Sequence, residues 1–127
     1  MNVFDASVLL ALARQENGAS RIVAGLSGGH ISTVNASEFV QKLNQYGDDG
    51  IRALEKLEGL GLIVDDYTKE DAIQTADLYP VVKPHGLSLA DRACLALALR
   101  LGAEVYTADR VWLNVAGDCG LTIISIR

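Results

Sequence analysis

Short apolar runs of strand length alternate along this chain with longer stretches whose apolar residues return every three or four positions, the periods of strands and helices. Val3-Phe4 is the first run and ends on Asp5. Ala6 to Arg14 then reads as a helix stopped at Gln15-Glu16-Asn17-Gly18, where Gly18 suits a left-handed C-cap. Ser20 to Leu26 predicts a second short helix, and His30 to Thr33 a strand. Asn35 and Glu38 have capping-box spacing, with Val34 and Phe39 placed as a hydrophobic staple, so a helix is expected from there to about Tyr46. Asp48-Asp49 opens another, with Ile51, Leu54 and Leu57 on one face and Gly59 and Gly61 at its end. Leu62 to Val64 predicts a strand. Thr68 caps a helix that Pro80 is expected to close, and Val81 to Gly86 reads as a loop. Ser88 caps the next helix, with Asp91 at its third position. Its Ala93 to Leu99 run is apolar all round, which places it centrally. Glu104 to Tyr106 is a strand leading into Thr107-Ala108-Asp109. A short helical turn over Arg110 to Val115, a loop over Gly117 to Gly120 and a strand from Leu121 to Ile126 complete the chain.

Strands alternating with helices imply right-handed crossovers and a parallel sheet covered on both faces. The expected fold is α/β, a three-layer α/β/α sandwich around a central parallel sheet of about five strands, formed by residues 1–127 as one domain. No repeat, low-complexity tract or linker interrupts the pattern.

Composition changes this picture little. Half of the residues are hydrophobic, which excludes disorder. The formal net charge of -5 runs against the basic footprint usual for nucleic-acid binders, although a bound cation would reverse the sign locally. Cys94 and Cys119 lack CxxC spacing and read as free thiols rather than zinc ligands. No apolar run approaches the ~20 residues of a membrane span, and no signal peptide precedes the first strand, so the expected protein is soluble and cytoplasmic.

The chemistry lies in four acids. Asp5 and Asp109 follow strands, whereas Glu38 and Asp91 stand in the first turn of helices. Each has an ordinary explanation as an N-cap or capping-box partner. In a doubly wound sheet, however, strand C-termini and the helix N-termini that follow them share one edge, where ligands bind. Unpaired acids crowded there would raise one another's pKa, and a divalent cation resolves that conflict. Mg²⁺ takes oxygen ligands and keeps several waters, which suits hydrolysis of a phosphoryl group. Ser7 and Thr107 stand two residues from Asp5 and Asp109, where a hydroxyl can orient a metal-bound water or bond the local backbone. In the phosphodiester hydrolysis that the family resemblance given below implies, Arg14, Lys42, Arg92 and Arg110 are candidates for gripping phosphate, against the alternative of ordinary surface charge. Asp65-Asp66 reads as a solvated doublet, Asp48, Asp49 and Asp71 as first-turn acids, and Asp118 as a weak fifth candidate. His30 and His85 have no partner at ligand spacing and are read as non-catalytic.

Four pieces, Val3-Phe4-Asp5-Ala6-Ser7, Ser37-Glu38-Phe39, Leu87-Ser88-Leu89-Ala90-Asp91 and Tyr106-Thr107-Ala108-Asp109, together resemble PIN domains, and specifically the VapC toxins of bacterial and archaeal VapBC modules. The resemblance implies that Asp5, Glu38, Asp91 and Asp109 form the family's acidic quartet, with Thr107 as its hydroxyl neighbour. It implies a Mg²⁺- or Mn²⁺-dependent endoribonuclease acting on RNA, with tRNA and rRNA as substrates in view. It also implies a homodimer and inhibition by a cognate VapB-type antitoxin. A housekeeping PIN-domain RNase and an inactive PIN-like interaction module are the alternatives. A phosphatase-like fold would want a second Asp two residues after Asp5, where Ser7 stands. A receiver domain would want a Lys at the end of the last strand, where Ile124-Ser125-Ile126 stands.

Overall fold

Val3 and Phe4 point to opposite faces of the first strand and both are fully buried, as expected of a strand covered on both sides. The computed structural model describes residues 1–127. Its strands are β1 (Asn2–Phe4), β2 (His30–Ser32), β3 (Ile63–Asp65), β4 (Glu104–Thr107) and β5 (Ile123–Ser125). They form one parallel sheet in the order β3-β2-β1-β4-β5. The helices are α1 (Ala6–Ala13), α2 (Val23–Leu26), α3 (Thr33–Gln45), α4 (Gly50–Gly59), α5 (Lys69–Val82), α6 (Leu89–Leu101) and α7 (Ala116–Cys119). This is the three-layer α/β/α arrangement that the pattern implies.

The two faces of the sheet have separate cores. Phe4 and Ile31 pack with Leu9, Ile22, Phe39 and Leu43 on the side of α1 to α4. Val3 and Val105 pack with Leu78, Leu95, Leu97 and Trp112 on the side of α5 to α7. Ala93 through Ala98 is buried throughout, so α6 is the central helix that its all-apolar run predicts. Cys94 and Cys119 are free and buried, and burial pushes both thiols up. No helix is long and apolar enough to cross a membrane.

Four local expectations give way to tertiary structure. The cap of α3 is Ser32, whose hydroxyl accepts the Val34 N–H, so Asn35 lies inside the helix. Pro80 does not close α5, which continues to Val82. Proline removes one helical hydrogen bond but its fixed φ is compatible with a helix, and buried Leu78 and Val82 on either side hold the turn against the core. Gly117 to Gly120, a loop by its sequence, is mostly the short helix α7. The last strand is shorter than Leu121 to Ile126, covering only the residues that pair with Val105, Tyr106 and Thr107.

Candidate metal centre

β1 is central, with β2 on one side and β4 on the other, so the chain reverses its direction of strand addition at the β1–β4 crevice. Such a switch point leaves an opening beyond the strand ends. Asp5 directly follows β1, and Thr107 ends β4 two residues before Asp109, with the Asp5 N–H donating to Tyr106 O at 3.0 Å.

Asp5 occupies the N-cap position of α1, yet its carboxylate caps nothing. Its Oδ2 instead accepts the Ser7 hydroxyl at 2.5 Å and the Thr107 hydroxyl at 3.1 Å. Each hydroxyl oxygen in turn accepts a backbone N–H, Ser7 from Ala108 at 3.0 Å and Thr107 from Asp109 at 3.1 Å. The two hydroxyls therefore aim their hydrogens at Asp5 and stitch the end of β4 to the end of β1. Of the two roles open to these hydroxyls, bonding to the backbone is the one seen here.

Glu38 comes from α3. With Ser32 as the cap, it has no capping duty, and its Oε1 accepts from Asn35 Nδ2 at 3.0 Å. The same Nδ2 donates to Ala90 O at 3.0 Å. Asn35 is fully buried, so one amide links Glu38 to the residue before Asp91. Asp91 does form the expected capping box: its Oδ2 accepts the Ser88 N–H at 3.0 Å and its own N–H donates to Ser88 Oγ at 3.1 Å. Asp109 caps the turn over Arg110–Asn114, its Oδ1 accepting the Val111 N–H at 3.0 Å.

One pattern runs through all four. Asp5 commits Oδ2, Glu38 Oε1, Asp91 Oδ2 and Asp109 Oδ1 to hydrogen bonds within the protein, and in each the second oxygen has no such bond. Capping and ligation are thus compatible, one oxygen apiece. The four acids line a single cavity of about 180 Å³ together with Ser7 and Lys42. None of them forms an ion pair; the protein's pairs are Arg14–Asp48, Arg100–Asp71 and Arg127–Glu16.

The electrostatic consequence falls on Asp5. Burial, reinforced by Asp91 and Glu38, raises its pKa to about 6 against the opposing hydrogen bonds from Ser7 and Thr107. The acids nevertheless stand apart, and no three are spaced to grip an ion directly. A divalent cation there would take at most two of these carboxylates directly and reach the others through water.

The remaining sequence candidates separate clearly. Arg92 is folded back onto α5, donating from Nη1 to Thr75 O at 2.8 Å and lying 5.1 Å from the Tyr79 ring centroid. Arg14 stacks 3.9 Å over Tyr46 and sits 3.9 Å from Asp48. Neither is a free phosphate grip, whereas Lys42 and Arg110 both border the acid-lined region. Asp65 is half-buried and bonded to His30 Nδ1 at 2.6 Å, a correction to its reading as a solvated residue. Asp71 is the N3 acid of the Thr68 capping box, but it is buried and paired with Arg100. Sequence reasoning missed the bridge made by Asn35. The signal available was an uncapped Asn one turn before a Glu in an otherwise apolar helix face.

An open parallel sheet with four acids lining one cavity beyond its switch point places the molecule among the α/β domains whose functional site lies at the strand ends. The chain belongs to the PIN domain family, whose sequence profile matches residues 3–118. No curated protein matches it in sequence. Among solved structures, a toxin–antitoxin complex from Klebsiella pneumoniae aligns with TM-score 0.78 at 17% identity, covering 100% of this chain and 98% of that one. The DNA-bound VapBC of Salmonella typhimurium aligns with TM-score 0.72 at 20% identity, covering 99% and 98%. Mycobacterium tuberculosis VapC20, described as a Sarcin-Ricin loop cleaving toxin, aligns with TM-score 0.75 at 17% identity, covering 90% and 95%. At these identities the likeness is one of fold.

Proposed function

We propose that this protein is a Mg²⁺- or Mn²⁺-dependent endoribonuclease and the toxin of a type II toxin–antitoxin module, held inactive by a cognate VapB-type antitoxin. The observation that carries the reading is the set of four unpaired carboxylates, each with one free oxygen, around one cavity at the strand switch point. When bound there, the cation supplies an activated water and screens charge on the phosphoryl oxygens. The free oxygens of Asp5, Asp91 and Asp109 would hold it, at most two of them directly and the rest through water, and Glu38, fixed by Asn35, would complete the shell or position the attacking water. Ser7 and Thr107 keep Asp5 turned into the pocket. Lys42 is the cation nearest the site and can contact the scissile phosphate.

The toxin assignment draws on the VapBC and toxin–antitoxin complexes among the structural neighbours. It also draws on a groove of about 370 Å³ lined by Leu12, Val23, Leu26, Phe39, Leu57 and Leu60. Val23 and Leu60 are both 56% exposed there, and an apolar groove between helices is the surface that an amphipathic partner helix fills.

The test is incubation of the purified protein with total RNA in Mg²⁺, Mn²⁺ or EDTA, followed by mapping of new RNA ends. Discrete new ends that vanish in EDTA support the reading; intact RNA under all conditions defeats it. Cleavage by a protein whose overexpression leaves growth unaffected would instead mark a housekeeping RNase.

A further inference from the structure

The acid-lined cavity does not stand alone. It shares Ser7 and Asp109 with a depression of about 540 Å³ whose other lining residues include Arg110 and Arg127. That depression shares both arginines with a third, of about 810 Å³, which adds Gln15, Glu16, Asn17 and Arg21. The two depressions form a trough leading away from the acids. We propose that the RNA strand leaving the cleavage pocket passes Asp109 and lies in this trough, its phosphates held by Arg110, Arg127 and Arg21. This rests on the ribonuclease reading above and adds to it a substrate path.

The charge distribution makes the trough unusual for this molecule. Acids outnumber Lys and Arg by 16 to 11 over the whole chain, yet here three arginines face Glu16, with Asp109 only at the border. Arg110 and Arg21 have no ion pair. Arg127 is paired with Glu16 at 2.8 Å, but the two side chains are 50% and 41% exposed. An ion pair so open to water is worth little, and a phosphate can replace Glu16 in it. The guanidinium fork suits that exchange, because it binds phosphate in two-point fashion.

The arginines come from three separate segments, so their convergence depends on how those segments meet. Gly18 brings the first and last together. Its φ is +87°, and a Cβ there would fall 2.1 Å from Ile126 O. The loop after α1 therefore lies directly on the chain leaving β5, which places Arg21 beside Arg127.

The trough contains no aromatic side chain. Bases have nothing to stack on, so binding there is to the backbone and indifferent to sequence. Any sequence preference of the enzyme must arise elsewhere.

The test compares the full-length protein with its R21Q/R110Q/R127Q variant. Anisotropy of a fluorescein-labelled single-stranded RNA of about 20 nucleotides is measured in EDTA across a salt series, and cleavage of the same RNA in Mg²⁺. Loss of three phosphate contacts should weaken binding roughly tenfold or more and make the slope of log affinity against log salt shallower by about 2. KM for the long RNA should rise, while kcat for a tetranucleotide confined to the acid pocket stays the same in R21Q/R127Q, which keeps Arg110 beside Asp109. E16Q should bind the long RNA more tightly than wild type. If the triple variant fails to fold, R21Q and R110Q separately, at exposed positions without partners, should each weaken binding by a fewfold. Unchanged affinity and salt slope in an otherwise active enzyme would overturn the trough and leave the nuclease reading standing. A wild-type protein that neither binds nor cleaves RNA would overturn both.

Discussion

Asp5 and Asp71 are the two aspartates most withdrawn from water, at 6% and 1% exposure, and they respond in opposite ways. Asp71 has every oxygen engaged: Oδ1 with Arg100 Nε at 2.8 Å, Oδ2 with Arg100 Nη2 at 3.1 Å and with the Thr68 N–H at 3.2 Å. Burial alone would raise its pKa, but the Arg100 guanidinium and the Thr68 N–H outweigh it and hold the carboxyl below its usual range. Asp5 has two hydroxyls on one oxygen, no cation, and two further acids nearby, so burial wins and its pKa climbs to about 6. The same side chain in the same degree of seclusion is a brace in one place and a stress in the other. A stress of this kind belongs to a functional site more often than to scaffolding.

The contrast is most sharply drawn by Asp5→Asn, which should lower metal-dependent RNA cleavage by at least roughly 100-fold. In the metal-free protein near pH 7 the same change should raise stability, by on the order of 1–3 kcal/mol in denaturant melts, because it removes a charge held about 2 pKa units from its ordinary value. A clear loss of stability would show that the hydroxyl contacts outweigh the charge, and the contrast would collapse. Asp71→Asn is the converse. It breaks a two-point ion pair and should cost roughly 1–3 kcal/mol, with cleavage per folded molecule unchanged.

The smallest effect is in the pH profile, where the signs oppose. Asp5 is harder to ionise folded than unfolded, so its part of the metal-free stability is highest below about pH 4 and is lost as pH rises through about 6. Asp71 is easier to ionise folded, so its part is present above about pH 4 and is lost as pH falls through its lowered value. The fall between pH 4 and 6 should vanish in Asp5→Asn, and saturating Mg²⁺ should flatten it in wild type by favouring ionised Asp5. Thermal melts from pH 3 to 8, with and without the ion, read out both arms.

The order of elements and the meeting of the four acids at one edge were legible because they depend on period and topology alone. What escaped was pairing between distant residues. Asn35 and Glu38 have capping-box spacing, but Ser32, at the end of β2, starts the helix one turn earlier, and the Asn is drawn inward to Ala90. His30 meets Asp65 because β2 and β3 pair with Ile63 opposite His30, a register that no local pattern reveals. Arg14 and Arg92 looked as available as Arg110 until Tyr46 and Tyr79 were placed beside them. Arg21 and Arg127 drew no notice, being far from any motif until Gly18 brought their segments into contact.

The buried amide of Asn35 has one more implication. It joins α3, which covers one face of the sheet, to the opening turn of α6, which covers the other. On the proposed ribonuclease reading, the centre is assembled only when both halves have closed, and Asp109 is the last of its acids to be made. If that reading holds, a polypeptide still emerging from the ribosome carries Asp5 and Glu38 before it has Asp109, and so passes beside the RNA of the translation machinery unarmed.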